Sequence, residues 1–187
     1  MDRWMRLAVG AVVLGLVLWL HACRLGPPPL VPDLGGTHIA SGAEIDADDK
    51  TVGEILTSFH RTDDALRRQD LDALMDLYSE SYRYHSLNKE RLKNIWRDLF
   101  REHHAFSTTH IFTKIKVEPA KPRPTAEITC TGSIWAISNR SGQRVNIDSW
   151  FGEAHYLIDE EGVWRIRGHA WETPEGPRFV ISSHPFF

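Results

Sequence analysis

The sequence predicts an α+β domain in which about three helices precede a strongly curved antiparallel sheet. Two changes of pattern carry this. Apolar residues between positions 51 and 103 recur at helical spacing, and those between 111 and 171 alternate with a period of two. The composition, 42% hydrophobic and 25% charged, suits a chain that buries one ordinary core.

The first helix is expected at Thr51, where Thr51-Val52-Gly53-Glu54 reads as a capping box. Val52, Ile55, Leu56, Phe59 and Leu66 then form its apolar stripe. A second, short helix starts at Asp70 and carries Leu71, Leu74, Leu77 and Tyr78. A short strand, Tyr82 to His85, follows it. The third helix runs from about Lys89 to His103, with Leu92, Ile95, Trp96 and Leu99 on one side. The period then changes. Ile111, Ile115 and Val117 alternate with Phe112, Lys114 and Lys116. Long strands are expected over Ala126–Ser138, Arg144–Ile158 and Val163–Trp171, with turns at Pro119–Pro124, Asn139–Gly142 and Asp159–Gly162. The tail from 175 to 187 is apolar and broken by Pro177 and Pro185.

The segment Asp70-Leu71-Asp72-Ala73-Leu74-Met75-Asp76-Leu77-Tyr78, the strand Tyr82-Arg83-Tyr84-His85 and the hairpin from Leu157 to Ile166 resemble the nuclear transport factor 2-like (SnoaL-like) family over about Thr51–Glu172. The resemblance implies a cone: a bent sheet wrapped around helices, with a pocket at the open end. It spans isomerases, dehydratases, cyclases and non-catalytic binding modules, so it implies a pocket position and no particular chemistry. The steroid-isomerase branch places an aspartate base on the short strand after the second helix. That position falls on Ser86, beside His85. A serine does not replace a carboxylate base, so that reaction is not expected here.

A regular hairpin on an Asp159–Gly162 loop pairs Leu157 with Trp164, His155 with Ile166, Glu153 with Gly168 and Phe151 with Ala170. The apolar run Trp164, Ile166, Gly168 and Ala170 marks the inner face. Phe151, Glu153, His155 and Leu157 are therefore expected inside, joined by Cys130, Ile134 and Ala136 of the preceding strand. Glu153 and His155, about 7 Å apart on one strand, are the candidate acid–base pair and, with Tyr82, Tyr84 and Ser86, the candidate ligand-binding residues. The alternative for Glu153 and His155 is a rim position, solvated or hydrogen-bonded to a helix end, and for the tyrosines an ordinary place in the core at the cone entrance. The outer face would then hold Trp135, Trp150, Tyr156, Arg165 and Trp171, an aromatic and arginine patch fit for a second copy of the chain or an envelope protein, or to be covered by the tail. A β-bulge would reverse part of this assignment.

Location is written in the first 23 residues. Arg3 and Arg6 precede the uncharged run Leu7–Leu20, which is too short to span a bilayer comfortably. Leu20-His21-Ala22-Cys23 then resembles the lipobox of bacterial lipoproteins, with His21 departing from the pattern. The expectation is a signal peptide over 1–22, lipid on Cys23, a flexible tether over 23–50 and a domain over 51–174. The tether is rich in Gly, Pro and acidic residues and would reach roughly 30 Å. Arg24 after the cysteine resembles lipoproteins sorted to the periplasmic face of an outer membrane, if the source has two membranes.

Other chemistries find little support. A net charge of −3 gives no basic surface for nucleic acid. Ten histidines show no metal-ligand spacing, and only an assembly of His85, His110 and His155 in space would make a metal site. Cys130 reads as a buried, inert thiol. No cofactor-binding loop or nucleophile elbow is present. Two readings remain open: a non-enzymatic binding or interaction module, and a cofactor-independent acid–base enzyme acting on a small apolar molecule.

Overall fold

A computed structural model describes residues 35–84, 87–119 and 121–168. The signal peptide, Cys23, Ser86, His85, Trp171 and the tail lie outside the described residues.

The chain does not enter the domain at Thr51. Gly36–Asp46 forms a strand, β1, which pairs in parallel with a later strand, so this part of the expected tether belongs to the sheet. Its Gly, Ser and acidic residues have low strand propensity; pairing with a long neighbour overrides that local preference. Helix α1 spans Asp49–Arg68, two residues earlier at its start than the capping box implies. Asp48 is the cap: its carboxylate accepts from the Thr51 N–H at 2.8 Å and the Thr51 hydroxyl at 3.0 Å. Gln69 ends the helix in the left-handed conformation.

The remaining order is α2 (Leu71–Met75, capped by Asp70), β2 (Tyr78–Tyr84), β3 (Leu87–Asn88), α3 (Lys89–Glu102), β4 (His103–Glu118), β5 (Thr125–Ser138), β6 (Arg144–Glu160) and β7 (Val163–Gly168). Among the described residues the sheet has seven strands in the order β1-β4-β5-β6-β7-β2-β3. The expected antiparallel meander β4-β5-β6-β7 is its centre. The sheet as a whole is mixed, because β1 joins β4 and β2 joins β7 in parallel. With β1 ahead of α1 and β2 and β3 between α2 and α3, the layout is α+β: a curved mixed sheet packed on these three helices.

The helices fill the concave side. Ile55, Phe59 and Leu66 of α1 and Leu92 and Trp96 of α3 are fully buried against Phe112, Ile115, Ile128, Ile134 and Leu157 of the sheet. Each such side chain contributes about 1.5–3 kcal/mol relative to an exposed one. Edge-to-face contacts of Phe59 with Phe112, and of Phe100 with Phe106, fix the ring packing.

Two irregularities in β6 decide which residues face this core. Register against β5 slips by one residue between the pairs Trp135–Asn146 and Ile134–Asp148, and again between Gly132–Trp150 and Cys130–Glu153. The second slip takes in Phe151 and Gly152, and Gly152 has φ +64°. Each bulge exchanges the faces of the residues beyond it.

Candidate functional site

The inner face of β6 follows from these bulges. Beyond the turn, Val145 opposes the buried Ala136. After the first bulge Asp148 opposes the buried Ile134, and Trp150 opposes Gly132. After the second, Glu153, His155 and Leu157 oppose Cys130, Ile128 and Ala126. Five of the residues facing the concave side are therefore Asp148, Trp150, Glu153, His155 and Leu157.

Two expectations about facing are corrected here. Trp150 is not part of an outer patch: it is 5% exposed on the inner side. Phe151, expected inside, is 88% exposed. The physical cause is the pair of bulges, and Gly132 permits the result. A Cβ at position 132 would lie 2.4 Å from the Trp150 ring, so the missing side chain is what seats the indole.

Around Trp150 runs a chain of polar contacts. Its indole N–H donates to Cys130 Sγ at 2.9 Å, and Sγ lies 3.2 Å from His155 Nε2. Burial pushes the Cys130 thiol up to about 12, against the indole hydrogen bond that lowers it, with the Glu153 charge raising it further. That thiol is not a nucleophile at neutral pH. Glu153 is half-buried and His155 8% exposed.

Tyr82 and Tyr84 share the inner face of β2, 2% and 5% exposed. The Tyr82 ring packs edge-on to Tyr78, and burial raises its phenol well above the ordinary range. Tyr84 is raised by burial, then by the charges of Glu153 and Asp148. Asp148 is itself raised by burial, against a backbone hydrogen bond from Ser149, with Glu153 pushing the same way. Tyr84, Asp148 and Glu153 thus lie in one another's field. Two carboxylates and a phenol on the inner face of the sheet favour a hydrogen-bond donor or a positive charge beside them. Asp148 was not among the sequence candidates, because a regular strand turns it outward.

The outer candidates are dispersed. Trp135 opposes Asn146, has the Arg144 guanidinium 4.8 Å from its ring centre and donates to Ser133. Tyr156 opposes Glu127, eight residues along β5, or roughly 26 Å of extended chain. Arg165 is held at the hairpin end, donating to the carbonyls of Asp76 and Glu160, each at 3.0 Å. Trp135, Tyr156 and Arg165 do not form a single patch.

A second polar cluster, absent from the sequence candidates, lies under α1. Asp63 is 2% exposed and His110 fully buried. The Thr37 hydroxyl donates to Asp63 Oδ2 at 2.9 Å and the Thr108 hydroxyl to Oδ1 at 3.1 Å. Both hydroxyl oxygens also lie near His110 Nδ1, at 3.0 and 3.2 Å. Each hydroxyl has one proton, already given to Asp63, so the Nδ1 side must donate to them. The network therefore places a proton on Nδ1, on a ring whose centre is 5.4 Å from that of Trp150. Burial raises Asp63, and hydrogen bonds and charge from His110, with Thr37 and Thr108, more than reverse this, holding its carboxyl below the usual value. One signal in the sequence marks Asp63: it lies four residues after Phe59 and eight after Ile55, a charge on the apolar stripe.

Among the described residues no group of three or more His, Cys, Asp or Glu could hold a metal, and no helix is long and apolar enough to cross a membrane. His85 and the run Leu7–Leu20 are outside that statement.

No protein-family model and no curated protein matches the chain. Solved structures similar to it include a conserved protein from Planctomyces limnophilus, at 14% identity and TM-score 0.49 over 65% of this chain and 94% of the other. Aln2 from a Streptomyces species matches at 15% identity and TM-score 0.49, over 66% and 90%. A ketosteroid isomerase-like protein from Erwinia carotovora atroseptica matches at 13% identity and TM-score 0.49, over 65% and 94%.

Proposed function

We propose that the chain is a lipid-anchored, extracytoplasmic domain that binds a small molecule with an apolar body and a basic or hydrogen-bond-donating group. The anchor is Cys23, and the ligand seat is formed by Asp148, Glu153 and Tyr84. One observation carries the seat: two bulges in β6 turn two carboxylates onto an apolar inner face, where Asp148 is raised by burial and by Glu153. A cationic group beside Asp148 offsets both its burial and the charge of Glu153.

The test uses full-length protein extracted from membranes in detergent and titrated with benzylammonium, reading Trp fluorescence and thermal shift. Benzoate is the control, and the intact mass of the same preparation reports acylation at Cys23. Benzylammonium should bind and benzoate should not. Asp148→Asn and Glu153→Gln should each weaken binding about tenfold. Equal responses to the two probes, or an unchanged response in the double variant, would contradict the seat. An unmodified Cys23 behind an intact Met1–Ala22 would contradict the anchor.

A specific observation favours the second reading, a cofactor-independent acid–base enzyme. The network at Asp63 holds the His110 ring in one orientation beside a buried carboxylate, as acid–base chemistry by an imidazole requires. On this second reading the acid–base residue is His110 rather than His155, which contacts a thiol.

A further inference from the structure

The Asp63–His110 cluster is closed by the first strand of the domain. Thr37 of β1 sits opposite His110 of β4 and is 4% exposed. Besides its hydroxyl contacts to Asp63 and His110, its carbonyl is 2.9 Å from His60 Nε2. Gly36, at φ +62°, passes so close that a Cβ there would lie 3.1 Å from Asp63 Oδ2 and 3.6 Å from the Arg67 guanidinium. Beyond these two residues the strand is half-buried or exposed throughout. Its pairing with β4 is also interrupted: 36–39 and 44–46 are in register and the four residues between are not, with Gly42 at φ +80°.

An edge strand held in two short runs, with its burial confined to one end, is the kind of unit that opens without the rest of a domain. What it covers is a carboxylate–imidazole pair, and apolar residues of similar volume would serve stability there as well or better. We propose that β1 is a strap that opens independently of the core and controls access to His110, with the Thr37 hydroxyl as its latch. In the closed form Thr37 shields Asp63 and His110. In the open form the imidazole meets solvent at the β4 edge, and Thr108 and His110 retain Asp63. This holds under either reading of the function.

The test is carbethoxylation of His110 by diethyl pyrocarbonate in the full chain, read by peptide mass spectrometry beside hydrogen exchange. Thr37→Val keeps the shape and removes the latch. It should raise His110 labelling and the exchange of β1 amides about tenfold or more, since it removes a hydrogen bond to a charged group. Amides of α3 and β5 should keep their protection. Thr37→Ser, which restores a hydroxyl, should return labelling to the wild-type rate. The strap is overturned if His110 labelling does not move in Thr37→Val, if Thr37→Ser labels like Thr37→Val, or if α3 and β5 lose protection by the same factor as β1.

Discussion

Replacing Gly132 with valine is expected to destabilise the domain by about 3 kcal/mol or more and to drive Trp150 off the inner face. A Cβ at this position would lie 2.3 Å from the Thr109 carbonyl oxygen and 2.4 Å from the Trp150 ring. The first contact is with the backbone of β4, which cannot move without disturbing its pairing on both sides. The second expels the side chain that the two bulges of β6 turn inward. Loss of Trp150 also strips Cys130 of its indole donor and uncovers one side of His110. Denaturant unfolding should show the loss in stability, and the native emission spectrum should shift toward longer wavelength. Gly53→Ala is the control. No atom lies within 4 Å of a Cβ there, and the residue is inside α1, so alanine should stabilise by about 0.5–1 kcal/mol. A Gly132→Val protein as stable as the wild type would mean that Trp150 does not pack over Gly132.

Removing the imidazole of His110 should cost about 3–5 kcal/mol, because His110→Ala leaves the Asp63 carboxylate buried without its main partner. A fall in Tm on the order of 10 °C follows for a domain of this size. The effect also has a pH signature. Asp63 in the folded protein titrates below its ordinary value of 3.8, so its contribution to stability is present above that value and is lost as pH falls through the lower, folded one. In His110→Ala the forces that lower it are mostly gone and burial remains. The acid-side loss of stability carried by Asp63 should therefore be smaller than in the wild type, and the gap between the two proteins should narrow as pH falls. Tm measured between pH 3 and pH 7 in both proteins checks this. A variant whose acid limb coincides with that of the wild type would show that His110 does not support Asp63.

Helix starts were legible because their stripes and caps are local, but α2 ends at Met75, short of the expected Leu77 and Tyr78, because Tyr78 is drawn into β2 by its pairing with β7. Asp70, Leu92 and Trp96 sit where their spacing puts them, and the early start of α1 at Asp49 reflects a better cap at Asp48 than at Thr51. The β6–β7 hairpin shows how a wrong detail can leave a right consequence. Its loop is the two residues Glu161 and Gly162, both at positive φ, and Glu160 pairs with Val163. The register is thus two residues away from that of a four-residue loop. A slip of two keeps every side chain on its face, so Leu157 and His155 still point inward.

Trp150, Phe151 and Asp148 could not be placed in the same way. A single-residue bulge inverts faces, and alternation does not report one. Gly152 inside a strand was the available hint. The strand β1 was hidden for another reason. Its residues have the composition of a linker, and the contacts that order it, Thr37 to Asp63 and His110, span 26 and 73 positions. The same distance in sequence hid the cluster: Asp63, Thr108 and His110 meet only once α1 lies across β4.

The central claim is that Asp148 and Glu153 face each other's field on the concave side of β6. Carboxyl chemical shifts of Asp148, followed by carbon-13 NMR against pH in the wild type and in Glu153→Gln, test it most directly. The account predicts an Asp148 pKa above the ordinary 3.8 that moves back toward it when the neighbouring charge is removed. An Asp148 that titrates at or below 3.8, with no response to Glu153→Gln, would place the two carboxylates apart and contradict the proposed ligand seat.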